Sequence, residues 1–165
     1  MERLIQIPDW IDEGLYRCRV RYTTDIEKIE FYEYRFNHPE IIEIVEDTSI
    51  VYPYKFEDRR QFHLALAEHP HANEVIITHN GYLTDSSFSN IALFDGNNWL
   101  TPDTPLLNGT KRQYLLDNKI LKEAPIQVED LRHFKKLSLI NAMRDLNIVY
   151  DFIFYPNHLI IHGKY

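Results

Sequence analysis

Residues 74–101 have the sequence EVIITHNGYLTDSSFSNIALFDGNNWLT, in which short apolar runs alternate with turn-forming residues. The pairs Asn80-Gly81 and Asp95-Gly96 favour tight turns, because asparagine, aspartate and glycine tolerate the positive φ angles that hairpins need. The runs between the turns are rich in β-branched and aromatic residues, which favour strands. This stretch therefore predicts a β-meander with strands at 74–78, 82–84, 90–94 and 99–101.

Upstream of the meander, the pattern predicts more strands and one helix. Residues 15–22 and 26–36 alternate polar with apolar residues around the turn residues 23–25, which indicates an antiparallel hairpin. Residues 41–45 and 49–54 are also strand-like, so that Lys55 is expected at a strand end. From Glu57 the apolar spacing becomes helical, and His69-Pro70 should end that helix because proline cannot continue the backbone ladder.

Downstream of the meander, the chain mixes short helices with strands. The apolar pattern predicts a helix over 111–118 and the start of another near Val128. Residues 137–140 are strand-like and lead into a predicted turn and helix at 141–146. One or two strands around Pro156-Asn157 should close the chain.

Composition limits the class of protein. A chain of 165 residues that is 44% hydrophobic can bury one core, and a net charge of −7 argues against binding to nucleic acids or to anionic membranes. The single cysteine, Cys18, cannot form an internal disulfide, so a cytoplasmic location is expected. No run of about 18 apolar residues could span a membrane, and residues 1–4 lack the order of a signal peptide.

Four short motifs follow one another along the chain. They are Lys55-x-x-x-Arg59, the run Gly81 to Ile91 that contains Asp85 and Asn90, the run Asn108-Gly109-Thr110-Lys111-Arg112-Gln113, and Asn141-Ala142. In order and approximate spacing, this series resembles the large-domain motifs of fold type IV pyridoxal-phosphate enzymes, the class IV aminotransferases. It is most similar to the aminodeoxychorismate lyases, and the resemblance covers residues 50 to 146.

The resemblance implies a fold and an activity. The fold is expected to be α+β, a β-barrel-like sheet with flanking helices, like the large domain of these enzymes. The cofactor would be pyridoxal phosphate and the substrate a small amino compound. Elimination of pyruvate from 4-amino-4-deoxychorismate, giving 4-aminobenzoate, is the first expected reaction. Aminotransfer to a 2-oxo acid is the alternative, and a non-catalytic cofactor-binding or interaction protein is the alternative from another class.

The resemblance also implies roles for particular residues. Lys55 would form the Schiff base with the cofactor aldehyde and move the proton at the substrate carbon. Asp85 would face the pyridine nitrogen, at a position where the family usually has glutamate. A carboxylate there keeps the ring protonated and preserves its capacity to accept electrons. Arg59 would orient the phenolic oxygen or the substrate carboxylate, and Asn90 is a further cofactor contact.

The cofactor phosphate is expected at two helix N-termini, where backbone N–H groups and the helix dipole favour an anion. Gly109-Thr110-Lys111 opens one predicted helix and Asn141-Ala142 opens the other. Small residues at these places would let the backbone approach the ligand closely.

Family members begin with a small domain, and here residues 1–45 resemble only its end, whereas 46–165 correspond to the cofactor-binding large domain. Folding as one unit over 1–165 is left open. A truncated reading frame, a compact variant that recruits Arg17, Arg19 or Arg21, and a remnant without catalysis are competing explanations. A homodimer is implied, because these enzymes build their site beside a dimer interface.

Histidines offer a second chemistry. The pairs His69-x-His71 and His158-x-x-x-His162 have spacings that could hold a metal ion. No cysteine accompanies them and the sequence places no acidic residue beside them. Hydrogen-bonded or solvated histidines, and therefore no metal, are the expectation.

Overall fold

A computed structural model describes residues 5–165, so the prediction drawn from residues 1–4 lies outside the described residues. The chain divides into two compact units, one ending at His38 and the other running from Pro39 to Tyr165. None of the helices in the described part of the chain is long and apolar enough to cross a membrane.

The first unit is an antiparallel hairpin, as the alternating pattern predicts. Strand β1 (Tyr16–Tyr22) pairs with β2 (Ile26–Glu33), and Tyr16 lies opposite Glu33. Its three arginines alternate along β1. The Arg17 guanidinium lies over the Tyr32 ring at 5.4 Å, and Arg21 lies 3.8 Å from Glu27. These contacts are the cross-strand contacts of an ordinary hairpin.

The second unit contains nine strands, two α-helices and a 3-10 helix. In chain order they are β3 (Ile41–Glu46), α1 (Arg60–Ala67), β4 (Glu74–His79), β5 (Tyr82–Ser86), β6 (Asn90–Phe94), β7 (Trp99–Pro102), α2 (Thr110–Asp117), β8 (Leu121–Ala124), the 3-10 helix (Val128–His133), β9 (Lys136–Ile140), β10 (Tyr150–Tyr155) and β11 (His158–Lys164). The four strands of the predicted meander are all present.

The sheet closes on itself as a seven-stranded barrel. Its order is β5-β4-β3-β11-β10-β9-β6, and β6 returns to β5 through the pairing of Asp85 with Asn90. Strands β7 and β8 extend the sheet beyond β6. The pairs β3–β4 and β7–β8 are parallel and the other pairs are antiparallel. The α+β, barrel-like fold predicted from the resemblance is confirmed.

Strands β4, β6 and β9 bury both of their faces, which explains their nearly continuous apolar sequence. Ile76, Ile91 and Leu139 point into the largest core cluster, which fills the barrel. Alternate residues point outward because successive side chains of a strand lie on opposite faces. Val75 packs beneath α1 with Phe62 and Tyr52, and Ala92 packs beneath α2 with Leu115.

Two predicted elements are wrong. Residues 49–54 form no strand, because the Asp47 carboxylate accepts hydrogen bonds from the Ser49 backbone N–H and hydroxyl and bends the chain. The apolar residues Ile50 and Tyr52 are instead buried beneath α1. Residues 141–146 form no helix but a tight turn, in which the Asn141 and Arg144 backbones exchange hydrogen bonds.

Candidate functional site

Strand register places the candidate site at the seam where the barrel closes. Asp85, near the end of β5, pairs with Asn90 at the start of β6, and Asn90 also pairs with Ile140 at the end of β9. Asn141 follows directly. Asp85 and Asn90 therefore meet Asn141, about 50 positions later in the sequence, at one end of the barrel because the backbone ladder brings them there.

A cleft opens at this end of the barrel, and it gathers all of the predicted site residues except Lys111. The predicted residues that line it are Lys55, Arg59, Asp85, Asn90, Gly109, Thr110, Asn141 and Ala142. The other lining side chains include three aromatic residues and three serines, Tyr52, Phe62, Phe88, Ser86, Ser87 and Ser89. The motifs, which are separated along the sequence, thus come together at one place in the fold.

Asp85 is the buried acidic group of the cleft, with 5% of its surface exposed. Its carboxylate accepts hydrogen bonds from Asn90 Nδ2 at 2.7 Å and from the Leu107 backbone N–H at 2.9 Å. Burial raises the pKa of Asp85 to about 6, although these hydrogen bonds and the nearby Arg112 charge oppose the rise. A positive group on the cleft side would favour the ionised form of this carboxylate.

Asn90 and Gly109 join the barrel seam to the start of α2. Asn90 Nδ2 also donates to the Leu107 carbonyl at 2.7 Å, which ties the loop before α2 to the strand. A Cβ atom at Gly109 would lie 2.1 Å from Asn90 Oδ1, so only glycine allows this approach. The glycine is required here by close packing, since its backbone is extended and any residue could adopt it.

The N-terminus of α2 can hold an anion. The helix begins at Thr110 with Gly109 as its N-cap, and within the described chain no side chain caps it. The N–H groups of the first turn have no intrahelical partners, and the helix dipole is positive at this end. Because Gly109 and Thr110 line the cleft, these donors are available to a negatively charged ligand there.

The second predicted anion site differs from its prediction, because Asn141-Ala142 opens a turn instead of a helix. Asn141 Oδ1 accepts a hydrogen bond from the Met143 backbone N–H at 2.8 Å, which closes an Asx turn. Asn141 Nδ2 donates to Ser89 Oγ at 2.9 Å. The turn still brings Ala142 and Asn141 to the cleft wall, without the dipole of a helix.

Lys111 lies away from the cleft lining. Its Nζ atom forms an ion pair with Asp145 at 2.9 Å and lies 5.5 Å from the Tyr114 ring centroid. Its backbone N–H belongs to the first turn of α2, so the predicted contribution of Lys111 to an anion site would come from the backbone.

Lys55 lies in the loop that joins β3 to α1 and not at a strand end, and its side chain is exposed. The loop is shaped by Tyr52, whose ring packs edge-on against Phe62 at 5.2 Å in the core. The Tyr52 hydroxyl donates to the Phe56 carbonyl at 2.5 Å, which curls residues 52–56 around the ring. This curl presents Lys55 at the cleft.

Arg59 is the N-cap residue of α1. Its guanidinium lies 4.9 Å from the Phe62 ring centroid and 3.4 Å from the Tyr52 hydroxyl. It also donates to the Ser87 carbonyl. Arg59 is therefore a fixed positive wall of the cleft.

Two buried charged residues near the site, Glu74 and Arg144, were not predicted. Glu74 accepts hydrogen bonds from the Ser87 and Val75 backbone N–H groups at 2.9 Å, and burial raises its pKa. Arg144 bonds to the Tyr150 hydroxyl and lies 5.4 Å from the Phe88 ring centroid. Both residues contact the segment that precedes Asn90, and no local sequence signal marks them as buried.

Arg112 belongs to the motif Asn108 to Gln113, but its structural role was not predicted. It is 2% exposed and donates to the Pro102 carbonyl at 2.8 Å and to Glu123 at 2.6 Å. It thereby fastens α2 to β7 and β8. Its position in the motif was the sequence feature that could have indicated this role.

The donor set fits the cofactor that the resemblance implies. A cationic ring nitrogen needs a carboxylate such as Asp85, and a phosphate needs an uncapped helix N-terminus such as that of α2. An aldehyde needs an amine, which Lys55 supplies. All three line the same cleft.

Comparison with known proteins agrees with this arrangement. The sequence profile of the class IV aminotransferases matches residues 60–149. An uncharacterised protein of Haemophilus influenzae is 36% identical over 143 residues, which are 87% of this chain and 76% of that protein.

Solved structures share the fold. A candidate 4-amino-4-deoxychorismate lyase from Haemophilus somnus 129PT is 36% identical and superposes with a TM-score of 0.75, over 81% of this chain and 69% of that one. A candidate amino-acid aminotransferase from Mesorhizobium loti is 20% identical, with a TM-score of 0.62 over 90% of this chain and 71% of that one. This chain belongs to the class IV aminotransferase family.

Proposed function

We propose that the cleft binds pyridoxal phosphate and that the protein is a lyase of the aminodeoxychorismate lyase type. The observation that carries this proposal is the meeting of a buried carboxylate, an uncapped helix N-terminus and a lysine in one cleft. These are the groups that a cationic ring, a phosphate and an aldehyde each require.

The protein's own groups have separate tasks in this proposal. Asp85 holds its charge against the ring nitrogen, and the first-turn N–H groups of Thr110 and Lys111 hold the phosphate. When bound, the cofactor supplies an electron sink for the substrate carbon that bears the amine. Lys55 binds the cofactor and moves the proton at that carbon. Arg59 orients an anionic group of the ligand.

The proposed substrate is 4-amino-4-deoxychorismate, which would yield pyruvate and 4-aminobenzoate, a step of folate biosynthesis. The support is the 36% identical protein of Haemophilus somnus that bears this assignment. Aminotransfer between an amino acid and a 2-oxo acid is the second candidate, and the family profile over residues 60–149 favours it.

Cofactor attachment is tested first. The purified protein, incubated with pyridoxal phosphate, should develop visible absorbance, and borohydride should fix the pyridoxyl group on Lys55 as read by peptide mass spectrometry. Lys55→Ala should lose both signals. Lys122→Ala, an exposed lysine bonded to Asn98 away from the cleft, should keep them. An adduct on another lysine, or an unchanged band in Lys55→Ala, would contradict the site.

The reaction is tested with the loaded protein. Pyruvate and 4-aminobenzoate released from aminodeoxychorismate would support the lyase, whereas amino-group exchange between alanine and a 2-oxo acid would support aminotransfer. A protein that binds the cofactor at Lys55 but converts neither substrate would instead be a non-catalytic cofactor-binding protein.

We further propose that the chain acts as a cytoplasmic homodimer and that Pro39–Tyr165 is the cofactor-binding unit. In this proposal the hairpin of β1 and β2 corresponds to part of the small domain of family members. Light scattering should give twice the mass of the chain, and cell fractionation should place the protein in the cytoplasm. A monomer that still binds the cofactor would contradict the proposed homodimer.

A further inference from the structure

A second cluster of reactive side chains lies outside the cleft. Glu43 on β3, and His69 and His71 in the turn between α1 and β4, each present a ligand atom, and these atoms lie within 4.8 Å of one another. The sequence shows the His-x-His spacing but places no acidic residue beside it. The tertiary structure supplies that acid from a residue 28 positions away.

The turn that carries the two histidines is held in place. The Ala72 backbone N–H donates to the His69 carbonyl at 2.9 Å, with Pro70 at the second position, where its fixed φ suits a β-turn. Asn73 Oδ1 then accepts hydrogen bonds from the Glu40 and Ile41 backbone N–H groups at 2.9 and 3.1 Å. The turn is thus fastened to the start of β3, beside Glu43.

Distances within the cluster suit a shared ion. His71 Nε2 lies 2.9 Å from Glu43 Oε2, and His69 Nδ1 lies 3.8 Å from Glu43 Oε1. Two ligand atoms that each bind zinc at about 2.1 Å in tetrahedral geometry are about 3.4 Å apart, between these two values. All three ligand atoms lie within 4.8 Å of one another, so binding one ion would draw the two imidazole rings and the carboxylate closer together.

Burial and ligand type indicate which ion. The Glu43 side chain is 11% exposed, whereas that of His71 is 59% exposed, so the cluster has a buried anion and an open outer side. Two imidazole nitrogens and one carboxylate suit zinc and similar transition metals, while magnesium and calcium prefer oxygen ligands alone.

We propose that Glu43, His69 and His71 bind a divalent transition metal ion of the zinc type, which fastens the α1–β4 turn to β3. Three protein ligands leave a further position for water on the exposed side. The site is independent of the cleft and of the proposed reaction, because none of its ligands lines the cleft.

The test is metal binding by the full-length chain without an affinity tag, after chelator treatment. Calorimetric titration with Zn²⁺ and with Ni²⁺ should show one site per chain, and Zn²⁺ should raise the melting temperature. His71→Ala should weaken binding at least tenfold, since even losing a group that only supports a ligand costs about 10- to 100-fold. His69→Ala should have the same effect.

Matched histidine variants separate this site from adventitious binding. His133→Ala, which removes an exposed histidine from the 3-10 helix, and His162→Ala on β11 should both keep the wild-type affinity. Because His71 is exposed, its variant should fold, and circular dichroism would check this. Wild-type protein without stoichiometric binding would overturn the proposal and leave a hydrogen-bonded Glu–His cluster. Unchanged affinity in a folded His71→Ala protein would also overturn it.

Discussion

At the scale of single residues, Asp85 combines its proposed role in cofactor binding with a cost in stability. Its carboxylate is buried with two hydrogen bonds, and burial raises its pKa from 3.8 to about 6. A group whose pKa is higher in the folded state binds its proton more tightly there than in the unfolded chain. Folding is therefore favoured at low pH by this residue, and that contribution is lost as the pH rises.

We predict that the contribution of Asp85 to the free energy of unfolding becomes less favourable as the pH rises from about 4 to about 6. The loss should be at most about 3 kcal/mol. Replacing Asp85 with asparagine removes the titrating group, so the variant should lose this part of the decrease. Urea unfolding of the cofactor-free proteins across this pH range measures it. Glu74, whose pKa burial also raises, is present in both proteins, so the difference between them isolates Asp85.

Asp95 provides a control, because its pKa is shifted in the opposite direction to that of Asp85. Hydrogen bonds from the Asn98 and Asn97 backbone N–H groups lower its pKa, so its contribution to stability is present at neutral pH and is lost as the pH falls. Asp95→Asn should reduce the loss of stability on acidification. Parallel pH curves for Asp85→Asn and wild type would contradict the account of Asp85.

At the scale of elements, the candidate site depends on how the start of α2 fits against the barrel seam. The Asn90 side chain bonds to Asp85 and to the Leu107 carbonyl, and Gly109 leaves the space that this arrangement needs. The loop and the helix N-terminus are therefore positioned by a strand residue and not by the loop sequence alone.

We predict that Gly109→Ala lowers the free energy of unfolding by about 2–3 kcal/mol, since the added methyl displaces a buried side chain and disturbs its hydrogen bonds. It should also weaken cofactor binding, because the first turn of α2 shifts. Urea unfolding and titration with pyridoxal phosphate measure the two effects.

A double-mutant cycle tests the cause. In an Asn90→Ala background, the methyl group of Gly109→Ala no longer meets an amide oxygen, so the second substitution should cost less than it does in the wild type. Strictly additive costs would show that the clash with Asn90 is not the reason for the loss.

At the scale of the whole molecule, each hydrophobic core cluster in the described chain is built from residues after His38. The barrel interior, the layer beneath α1 and the layer beneath α2 contain no residue of the β1–β2 hairpin. The hydrophobic free energy that holds the barrel closed therefore comes from Pro39–Tyr165.

We predict that a chain beginning at Pro39 folds cooperatively, with a melting temperature within a few degrees of that of the full chain. Far-ultraviolet circular dichroism with thermal unfolding measures this, and the full-length protein is the reference. A shortened chain that stays unfolded, while the full chain folds, would show that the hairpin is needed to stabilise the barrel.

The sequence by itself determined the meander, the β1–β2 hairpin and most of the residues around the cleft, but the strand predicted at 49–54 is absent and β8 was not predicted. These features depend on local information, because strand alternation and turn-forming residues such as Asn80-Gly81 act over a few positions. The motifs containing Lys55, Asp85 and Gly109 were found through the family resemblance, since their order along the chain is visible without a structure.

Only the tertiary structure decided the features that depend on contacts between distant segments. The loop that carries Lys55 is curled because Tyr52 is buried beneath α1, which its strand-like sequence could not indicate. Asn90 lies beside Ile140, which is 50 positions later in the sequence, because of the long-range register between β6 and β9. Glu43 lies beside two histidines because β3 and the α1–β4 turn pack together. Such contacts arise from packing between segments, and local residue preferences do not encode them.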